Sequence, residues 1–404
     1  MKTRALIMVE GHPRGNALLY AKAAKHLGLH PITLSADPAR YGYLAAEKIE
    51  SIHINTNNLD ALIQECSRLR ETYDIAGITG ALDSVYAKVA KLCRHFDLPG
   101  PNPASIDQCL DKFAQRQLLG EAGLPIPAYR LAANATDVKS SAAELGLPVV
   151  LKPAEGSGSR GVRLCRKVDE LTEHTSYLLS GKHIWRSPPR ILVEEFAEGP
   201  YYCAHIMGNE VIGIEGGELG PPPYFVFRAT TCPPLLTDDE HERIADVSLS
   251  CLHALGLGWG PTCIEFRWTK RGPVVIEVNP RLGGAPSPQL IQLAYGVDLI
   301  TEHVKLVIGD ELDLRKRLSH TAAARILVAD RDGILDWIGG ESRAAAVSGV
   351  AEVKFYVEPK ASIVRKGNIE DCIGHLVATS PTFAETDAIL RRAVDLLDWS
   401  ITPF

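Results

Sequence analysis

Most of the architecture follows from one stretch of sequence, Val274-Val275-Ile276-Glu277-Val278-Asn279-Pro280-Arg281-Leu282-Gly283-Gly284. Its apolar, β-branched beginning predicts a buried strand. Side chains alternate along a strand, so Glu277 and Asn279 share one face. Pro280 ends the strand, and Arg281 lies where the chain leaves it. Two oxygen ligands and a cation therefore project from one strand end. Hard oxygen ligands suit Mg²⁺, which in proteins usually accompanies phosphate groups.

A second carboxylate is expected beside this strand end. Glu265 lies in another strand-like run, Thr262-Cys263-Ile264-Glu265-Phe266-Arg267, and Arg271-Gly272 provides a turn between the two runs. A single glutamate on a strand usually marks a solvated face. An antiparallel hairpin, however, would place Glu265 beside Glu277, and two like charges at close range need a cation between them. The sequence therefore predicts a metal–phosphate site at this hairpin.

Composition limits the class of protein. The 404 residues favour two to three domains, and a hydrophobic content of 46% with 23% charged residues is that of an ordinary globular protein. The net charge of -6 argues against a nucleic-acid surface, and no apolar run reaches the length of a membrane span. We expect neither nucleic acid nor a membrane as a partner. The chain begins with a strand-like run rather than a signal peptide.

The cysteines indicate a reducing compartment. None of the nine cysteines forms a Cys-x-x-Cys pair. Such scattered thiols are typical of free, mostly buried cysteines in the cytoplasm, and they give no support for a zinc site.

Residues 1–103 predict an α/β domain with a Rossmann-like parallel sheet, because strand-like runs alternate with helical periodicity. The strand-like runs are Ala5–Val9, Pro31–Leu34, Ile52–Asn55 and Ile75–Thr79. The turn between Gly11 and Gly15 lacks G-x-G-x-x-G, so a dinucleotide site is not expected. Loops at strand carboxyl ends bind ligands in open α/β sheets, which makes Arg14 and Asp83 substrate candidates. Each alone is more typical of a surface loop.

A proline-rich linker, Leu98–Pro103, separates this domain from the next. We predict a helix over Ser105–Ala122, which contains Asp111-Lys112, and then a strand, Pro148–Pro153, which contains Lys152. The loop that follows, Gly156-Ser157-Gly158-Ser159-Arg160-Gly161, exposes backbone N–H groups that can wrap phosphate oxygens. It is not a Walker loop, because the lysine precedes the glycines, and by itself it would equally fit a flexible hairpin turn.

Later segments complete the pattern. The run Arg190–Gly199 predicts a strand entering a loop. Backbone groups at such a strand edge can hydrogen-bond an adenine, and a nearby carboxylate can accept from the adenine amino group. By itself the run is typical of an ordinary edge strand. Helices are expected over Thr237–Leu255 and from Ser287 to about Leu306. The remainder, residues 311–404, carries no cluster of chemical residues and is expected to pack around the central part.

Taken in order, these motifs resemble the ATP-grasp superfamily of carboxylate–amine ligases over about residues 1–310. The residues that carry the resemblance are Asp111-Lys112 before Arg116, Ala122–Pro127, Val150–Pro153 with the Gly-Ser loop, Val193–Phe196, Glu265, and Glu277–Gly284. The C-terminal part, with Gly349-Val350 and Val357–Ala361, is similar to that of bacterial L-amino-acid (dipeptide) ligases.

This resemblance implies an α/β fold, α+β in its central part, with four regions. These are a Rossmann-like N-terminal domain (1–103), a small mobile lid with its leading helix (104–196), a large subdomain with the metal and substrate site (197–310), and a C-terminal part packed on it (311–404).

The resemblance also implies residue roles. Lys112 and Lys152 would contact the phosphates of ATP, with Lys152 also near the adenine, and the Gly-Ser loop would close over the phosphates. Glu194 would face the adenine amino group, while the backbone of Glu195 and Ala197 would hold the ring. The expected ATP contacts are thus Lys112, Lys152, Gly156, Ser157, Gly158, Ser159, Gly161, Glu194, Glu195 and Ala197.

Further roles concern the metal and the reacting groups. Glu265, Glu277 and Asn279 would bind two Mg²⁺ ions, for which Mn²⁺ can substitute, and Arg281 would hold the reacting carboxylate and the intermediate. One departure is Gly199-Pro200-Tyr201, because related enzymes often read Gly-x-Glu there and use that glutamate for the ribose hydroxyls. Ribose contact would then fall to Glu198 or another residue, or the contact would be weak.

We expect ATP-dependent ligation of a small-molecule carboxylate to an amine through an acyl phosphate, most simply between two amino acids, by a cytoplasmic homodimer. Arg228 follows the aromatic run Tyr224–Phe227 and is placed to grip a second carboxylate, or else is a surface residue. The substrate candidates are Arg228, Glu215, Glu218, Asp83, Arg14 and Gly284. Two alternatives remain open, namely an enzyme that uses bicarbonate or another small carboxylate, and a nucleotide-binding protein without catalysis.

Overall fold

A computed structural model describes residues 2–12, 15–181 and 190–404. Over these ranges the strands form one parallel and three antiparallel sheets. The α/β class and the parallel N-terminal sheet are confirmed. No helix among the described residues is both long and apolar enough to cross a membrane.

The N-terminal domain is a four-stranded parallel sheet in the order β3-β2-β1-β4. Its strand β3 lies two residues earlier than predicted, because the Asn55 side chain accepts a hydrogen bond from Asn57 N (3.0 Å) and so begins a turn. The elements are β1 (Thr3–Val9), α1 (Ala17–His26), β2 (His30–Ser35), α2 (Gly42–Ala46), β3 (Glu50–His53), α3 (Leu59–Thr72), β4 (Tyr73–Gly80) and α4 (Asp83–His95).

The next region contains a four-stranded antiparallel sheet in the order β5-β8-β6-β7. The single helix predicted over Ser105–Ala122 is wrong, because two helices meet at Asp111. This residue has an extended backbone, and its carboxylate accepts from Phe113 N (2.8 Å), which caps the second helix. Lys112 is therefore the first residue of a helix. The elements are α5 (Pro103–Leu110), α6 (Lys112–Glu121), β5 (Tyr129–Ala132), α7 (Ala135–Leu145), β6 (Val149–Pro153), β7 (Arg163–Cys165), α8 (Val168–Leu179) and β8 (Ile191–Glu195).

A large antiparallel sheet forms the centre of the molecule. The helix predicted from Ser287 to Leu306 is also two helices, because Gly296 has a left-handed backbone (φ 72°) that ends the first. The elements are β9 (Tyr201–Met207), β10 (Glu210–Leu219), β11 (Phe227–Cys232), α9 (Asp238–Ala254), β12 (Pro261–Thr269), β13 (Gly272–Asn279), α10 (Ser287–Tyr295) and α11 (Leu299–Val307).

The C-terminal region extends this central sheet. Three of its strands continue the order as β13-β12-β9-β10-β11-β14-β18-β16, and β17-β15-β19 form a separate small sheet. The elements are β14 (Thr321–Val328), β15 (Gly333–Gly339), α12 (Glu341–Ala345), β16 (Val350–Phe355), β17 (Ser362–Ile363), β18 (Cys372–Ser380), α13 (Phe383–Val394) and β19 (Asp398–Thr402).

The two faces of the central sheet differ in chemistry. One face carries apolar side chains such as Ile206, Phe266 and Val275, which pack with Ile244 and Leu252 of α9. The other face carries polar side chains from β9, β10, β12 and β13. Alternation along each strand separates the two sets, so the core on one face positions the candidate site on the other.

Candidate active site

The predicted pairing of two carboxylates is confirmed by the hairpin of β12 and β13. Glu265 lies directly opposite Glu277, and Asn279 donates from Nδ2 to Glu265 Oε1 (3.4 Å). Burial, and then the charge of Glu277, raise the pKa of Glu265 to about 7. Two carboxylates and an amide carbonyl that face one point form the kind of oxygen ligand set that a hard divalent cation prefers, so these residues fit Mg²⁺.

Lys112 joins three parts of this site. Its Nζ lies 2.9 Å from Glu277 Oε1 and donates to the carbonyl oxygen of Gly156 (2.6 Å). Its backbone N–H donates to Ala154 O (2.8 Å), which fixes the start of α6 against the end of β6. The ammonium group, although buried, therefore bridges the glycine loop and a candidate metal ligand.

The glycine loop, residues 156–161, needs its glycines. Gly158 has φ 68° and packs against the side chain of Ile369, so a Cβ there would meet Ile369 Cγ2 at 2.7 Å. The loop is also held by Ile369 N donating to Gly158 O (3.2 Å) and by the ion pair between Arg160 and Glu370 (3.0 Å). Ser157, Ser159 and Gly161 complete the loop. It therefore docks onto the C-terminal segment that contains residues 366–371.

A buried ion triad lies behind the loop. Glu194 accepts from Arg116 Nε (2.7 Å) on one carboxylate oxygen and lies 2.6 Å from Lys152 Nζ on the other. Burial acts to raise the pKa of Glu194, but the two cations outweigh it and the net pKa is lowered. Burial also lowers the pKa of Lys152. Glu194 and Lys152, both predicted near ATP, are thus brought together, with Arg116 as a third member that the sequence analysis did not assign.

The strand edge predicted to meet an adenine is present next to this triad. The Glu195 N–H donates to Ala128 O (2.8 Å), so that N–H group is engaged within the protein. Among the described residues, no acceptor is found for the N–H of Ala197, the next expected contact to the ring. Glu198 is exposed at the start of the following loop.

Arg281 is paired with the N-terminal domain. Its Nε lies 2.5 Å from Asp83 Oδ1, at the first turn of α4, and this ion pair raises the pKa of Arg281 although burial alone would lower it. Asn16 Nδ2 also donates to Gly283 O (3.0 Å). Gly284 has open space on its Cα. The loop after β13 is therefore held against the N-terminal domain by these two contacts, and Gly284 faces open space.

The remaining substrate candidates differ in their surroundings. Glu215 is buried, 3.1 Å from His205 Nε2, and accepts from Ser287 Oγ (2.8 Å). Glu218 is exposed and lies 3.5 Å from Arg325. Arg228 is the extra residue of a bulge between β10 and β11, half-buried against Gly220, and no described carboxylate lies within ion-pair distance of it. Arg14 lies outside the described residues.

Sequence reasoning missed a row of side chains on β9. Tyr201 shares a hydrogen bond with Glu265, and burial together with that carboxylate raises the pKa of Tyr201. Cys203 and His205 follow on the same face. The signal was the alternation of Tyr201, Cys203 and His205 with buried apolar residues, which is typical of a strand with one polar face. Tyr201, which stands where related enzymes have glutamate, thus contacts a candidate metal ligand.

Two protein-family models and several known proteins are similar to this chain. The sequence model of the ATP-grasp domain matches residues 145–289, and that of the L-amino acid ligase C-terminal domain 2 matches residues 325–402. The uncharacterized protein y4rH of Sinorhizobium fredii is 60% identical over 99% of this chain and 84% of its own length. Carnosine synthase 1 of Mus musculus is 27% identical over 71% of this chain, an alignment that spans only 38% of that enzyme.

The fold has a close counterpart among solved structures. The L-amino acid ligase from Bacillus licheniformis superimposes with a TM-score of 0.85 at 20% identity, covering 100% of both chains. By these sequence models the chain belongs to the ATP-grasp superfamily of ATP-dependent ligases, and its C-terminal region is similar to that of the L-amino acid ligases.

Proposed function

We propose that the chain joins two amino acids, or an amino-acid-like acid and an amino acid, through an acyl phosphate, with release of ADP and phosphate. One observation carries this proposal. At the open end of the β12–β13 hairpin, the candidate oxygen ligands Glu265, Glu277 and Asn279 have the positive charges of Lys112 and Arg281 close by. This arrangement suits a reaction in which an anion attacks a phosphate.

The first step would join two anions. A carboxylate oxygen attacks the γ-phosphorus of ATP, the bond from phosphorus to the ADP oxygen breaks, and an acyl phosphate forms. Glu265, Glu277 and Asn279 would hold two Mg²⁺ or Mn²⁺ ions, which supply charge neutralisation at the phosphates. Lys112 would add a cation there because it already links Glu277 to the glycine loop. Positioned charges of this kind supply most of the catalysis in phosphoryl transfer.

The second step would form the C–N bond. A neutral amine attacks the acyl carbon, the bond from carbon to the phosphate oxygen breaks with release of phosphate, and the nitrogen gives up a proton to the solvent. Arg281 would hold the oxyanion of the tetrahedral intermediate, since Asp83 fixes its guanidinium at the strand end. The glycine loop would keep water away from the acyl phosphate.

Substrate choice would depend on residues outside the candidate metal site, on β11 and in the loop after β13. Arg228 is half-buried without an acidic partner among the described residues, so its guanidinium group is available to bind the carboxylate of a second substrate. Gly284 leaves room for a substrate next to Arg281. Glu215 is engaged by His205 and Ser287, and we assign it no direct role in proton transfer.

The test is phosphate release from ATP and Mg²⁺ across single and paired amino acids, with product masses recorded. The proposal expects release only with certain amino acids and a product mass equal to the pair minus water. Glu277→Ala protein serves as the background control. Release that requires bicarbonate or another acid, without an amino-acid product, would replace the proposal by the carboxylase alternative, and no release with any acid would overturn it.

A further inference from the structure

We propose that Cys203, His205 and Cys263 form a binding site for a thiophilic divalent cation of the Zn²⁺ class, separate in its ligands from the oxygen site of Glu265 and Glu277. The inference concerns cation binding and does not depend on the proposed function. It also reverses the expectation from the sequence, where the scattered cysteines gave no support for zinc.

Strand pairing brings the three side chains together. In the β9–β12 register His205 lies opposite Cys263, and Cys203 lies opposite Glu265. All three therefore project from the polar face of the central sheet. One ligand atom from each of the three lies within 4.8 Å of the other two, and all three residues are buried.

The chemistry of this set favours a borderline-soft cation. Two thiolates and one imidazole are typical of zinc, whereas Mg²⁺ takes oxygen ligands. The two sulfur atoms lie 2.7 Å apart. A tetrahedral ion with bonds of about 2.3 Å to sulfur would hold them roughly 3.8 Å apart. Binding therefore needs about 1 Å of side-chain movement.

A second residue is placed to orient the histidine. Glu215 lies opposite Cys203 in the β9–β10 register, and its Oε2 is 3.1 Å from His205 Nε2. Ser287 Oγ donates to the same carboxylate oxygen (2.8 Å). A carboxylate on the far nitrogen of a metal-bound histidine is the usual supporting arrangement around zinc. In the described part of the chain, Glu215 Oε1 and His205 Nε2 are both buried without a hydrogen bond of good geometry, so the 3.1 Å contact is one of charge and proximity.

The proposed Zn²⁺ site lies next to the candidate Mg²⁺ ligands. Cys263 is paired with Asn279 on its other side, and Cys203 with Glu265. A cation held here would tie β9 to β12 directly beside the candidate Mg²⁺ ligands. Three protein ligands also leave one position of a tetrahedral ion open.

The test uses the whole chain, purified under reducing conditions and stripped of metal with a chelator. Titration with Co²⁺ should give one equivalent of binding with a sulfur-to-cobalt charge-transfer band, and Zn²⁺ should remove that band while excess Mg²⁺ does not. Cys203→Ser and Cys263→Ser should each lose the band, and Glu215→Gln should weaken binding by about 10-fold or more. Cys66→Ser, which removes a buried thiol of the N-terminal domain, is the matched control.

Two results would overturn the inference: absence of the band in the wild-type chain, or its retention in the double variant of Cys203 and Cys263. Circular dichroism and melting curves identify variants that fail to fold, and His205→Gln then provides the second measurement, in which binding should weaken with both thiols intact. Glu277→Gln should keep the cobalt band, so a failure of ligation and a failure of this site remain distinguishable.

Discussion

Arg281 and Asp83 are 198 residues apart in the sequence, yet Arg281 Nε lies 2.5 Å from Asp83 Oδ1. One residue leaves the strand that carries the candidate metal ligands, and the other begins α4 of the N-terminal domain. This ion pair therefore fixes a cation of the central sheet from a separate domain.

Arg281→Ala should separate nucleotide binding from ligation. We expect ATP affinity to stay within about twofold and product formation to fall by roughly 10²–10³, the usual cost of losing one donor to a developing oxyanion. Asp83→Asn should have a smaller effect of the same kind, since the guanidinium remains but is less firmly oriented. Isothermal titration with ATP and product quantification by mass spectrometry check both. Unchanged product formation in the Arg281 variant would remove its assigned role.

Glu277→Ala should abolish nucleotide turnover, because it removes a candidate metal ligand and the partner of Lys112. A loss of two orders of magnitude or more, about 3 kcal/mol of activation free energy, is expected in ADP formation. Glu210→Ala, an exposed change on β10, is the control and should leave turnover unaltered. Near-normal turnover in the Glu277 variant would contradict the site assignment.

Arg228→Ala should raise KM for one substrate only. A charged hydrogen-bonded pair is worth about 1.5–3 kcal/mol, which corresponds to a roughly 10- to 100-fold increase. The KM values for ATP and for the other substrate should stay constant. Steady-state kinetics with each substrate varied in turn provide the measurement, and an unaltered profile would return Arg228 to the role of a surface residue.

Glu370→Arg should loosen the glycine loop, since it replaces the attractions to Arg160 and Lys366 by repulsion. This pair is partly exposed, so only about 0.2–1 kcal/mol is at stake. We expect a several-fold rise in ATP hydrolysis without ligation and faster protease cleavage within residues 156–161. Adding Arg160→Glu should restore part of both measurements, because it re-forms this pair with exchanged signs while the repulsion from Lys366 remains. Arg365→Ala, which breaks the neighbouring pair with Asp332, is the control. If the exchange changed neither the ATP hydrolysis nor the protease cleavage, the ion pair would not hold the glycine loop.

Glu194→Gln should destabilise the fold, because it leaves Arg116 and Lys152 buried without their anion. Breaking a buried pair in this way costs about 3–5 kcal/mol in the free energy of unfolding. Since the pKa of Glu194 is lowered on folding, its contribution is present above the ordinary pKa of a glutamate and is lost as the pH falls through the lowered value. Urea unfolding at two pH values measures it, with Glu173→Gln at an exposed pair as the control.

The part of the site that is built by two consecutive strands, β12 and β13, could be predicted from the sequence. Glu265 and Glu277 pair across a short turn, so alternation and a turn signal were enough to bring them together. The break at Asp111 could also have been predicted, since aspartate is a strong helix cap. The sequence analysis instead predicted one continuous helix across this residue.

Other parts depend on contacts between distant segments. Cys203 meets Cys263 only because β9 lies between β10 and β12, an order that no local pattern specifies. Arg116 reaches Glu194 from a helix to a strand 78 residues later. Spacing along the chain carries no signal for such contacts, which is why the ion triad and the thiol cluster emerged only from the fold.

The continuous central sheet has a practical consequence for dissecting this chain. Strand β11 is paired on one side with β10 and on the other with β14, from the C-terminal region. A fragment that stopped near residue 310 would strip β14 away and leave the backbone of Phe227–Cys232 as an unprotected edge. Unprotected strand edges recruit other strands and aggregate. A stable minimal ligase therefore has to retain β14 or carry a substitute that caps this edge.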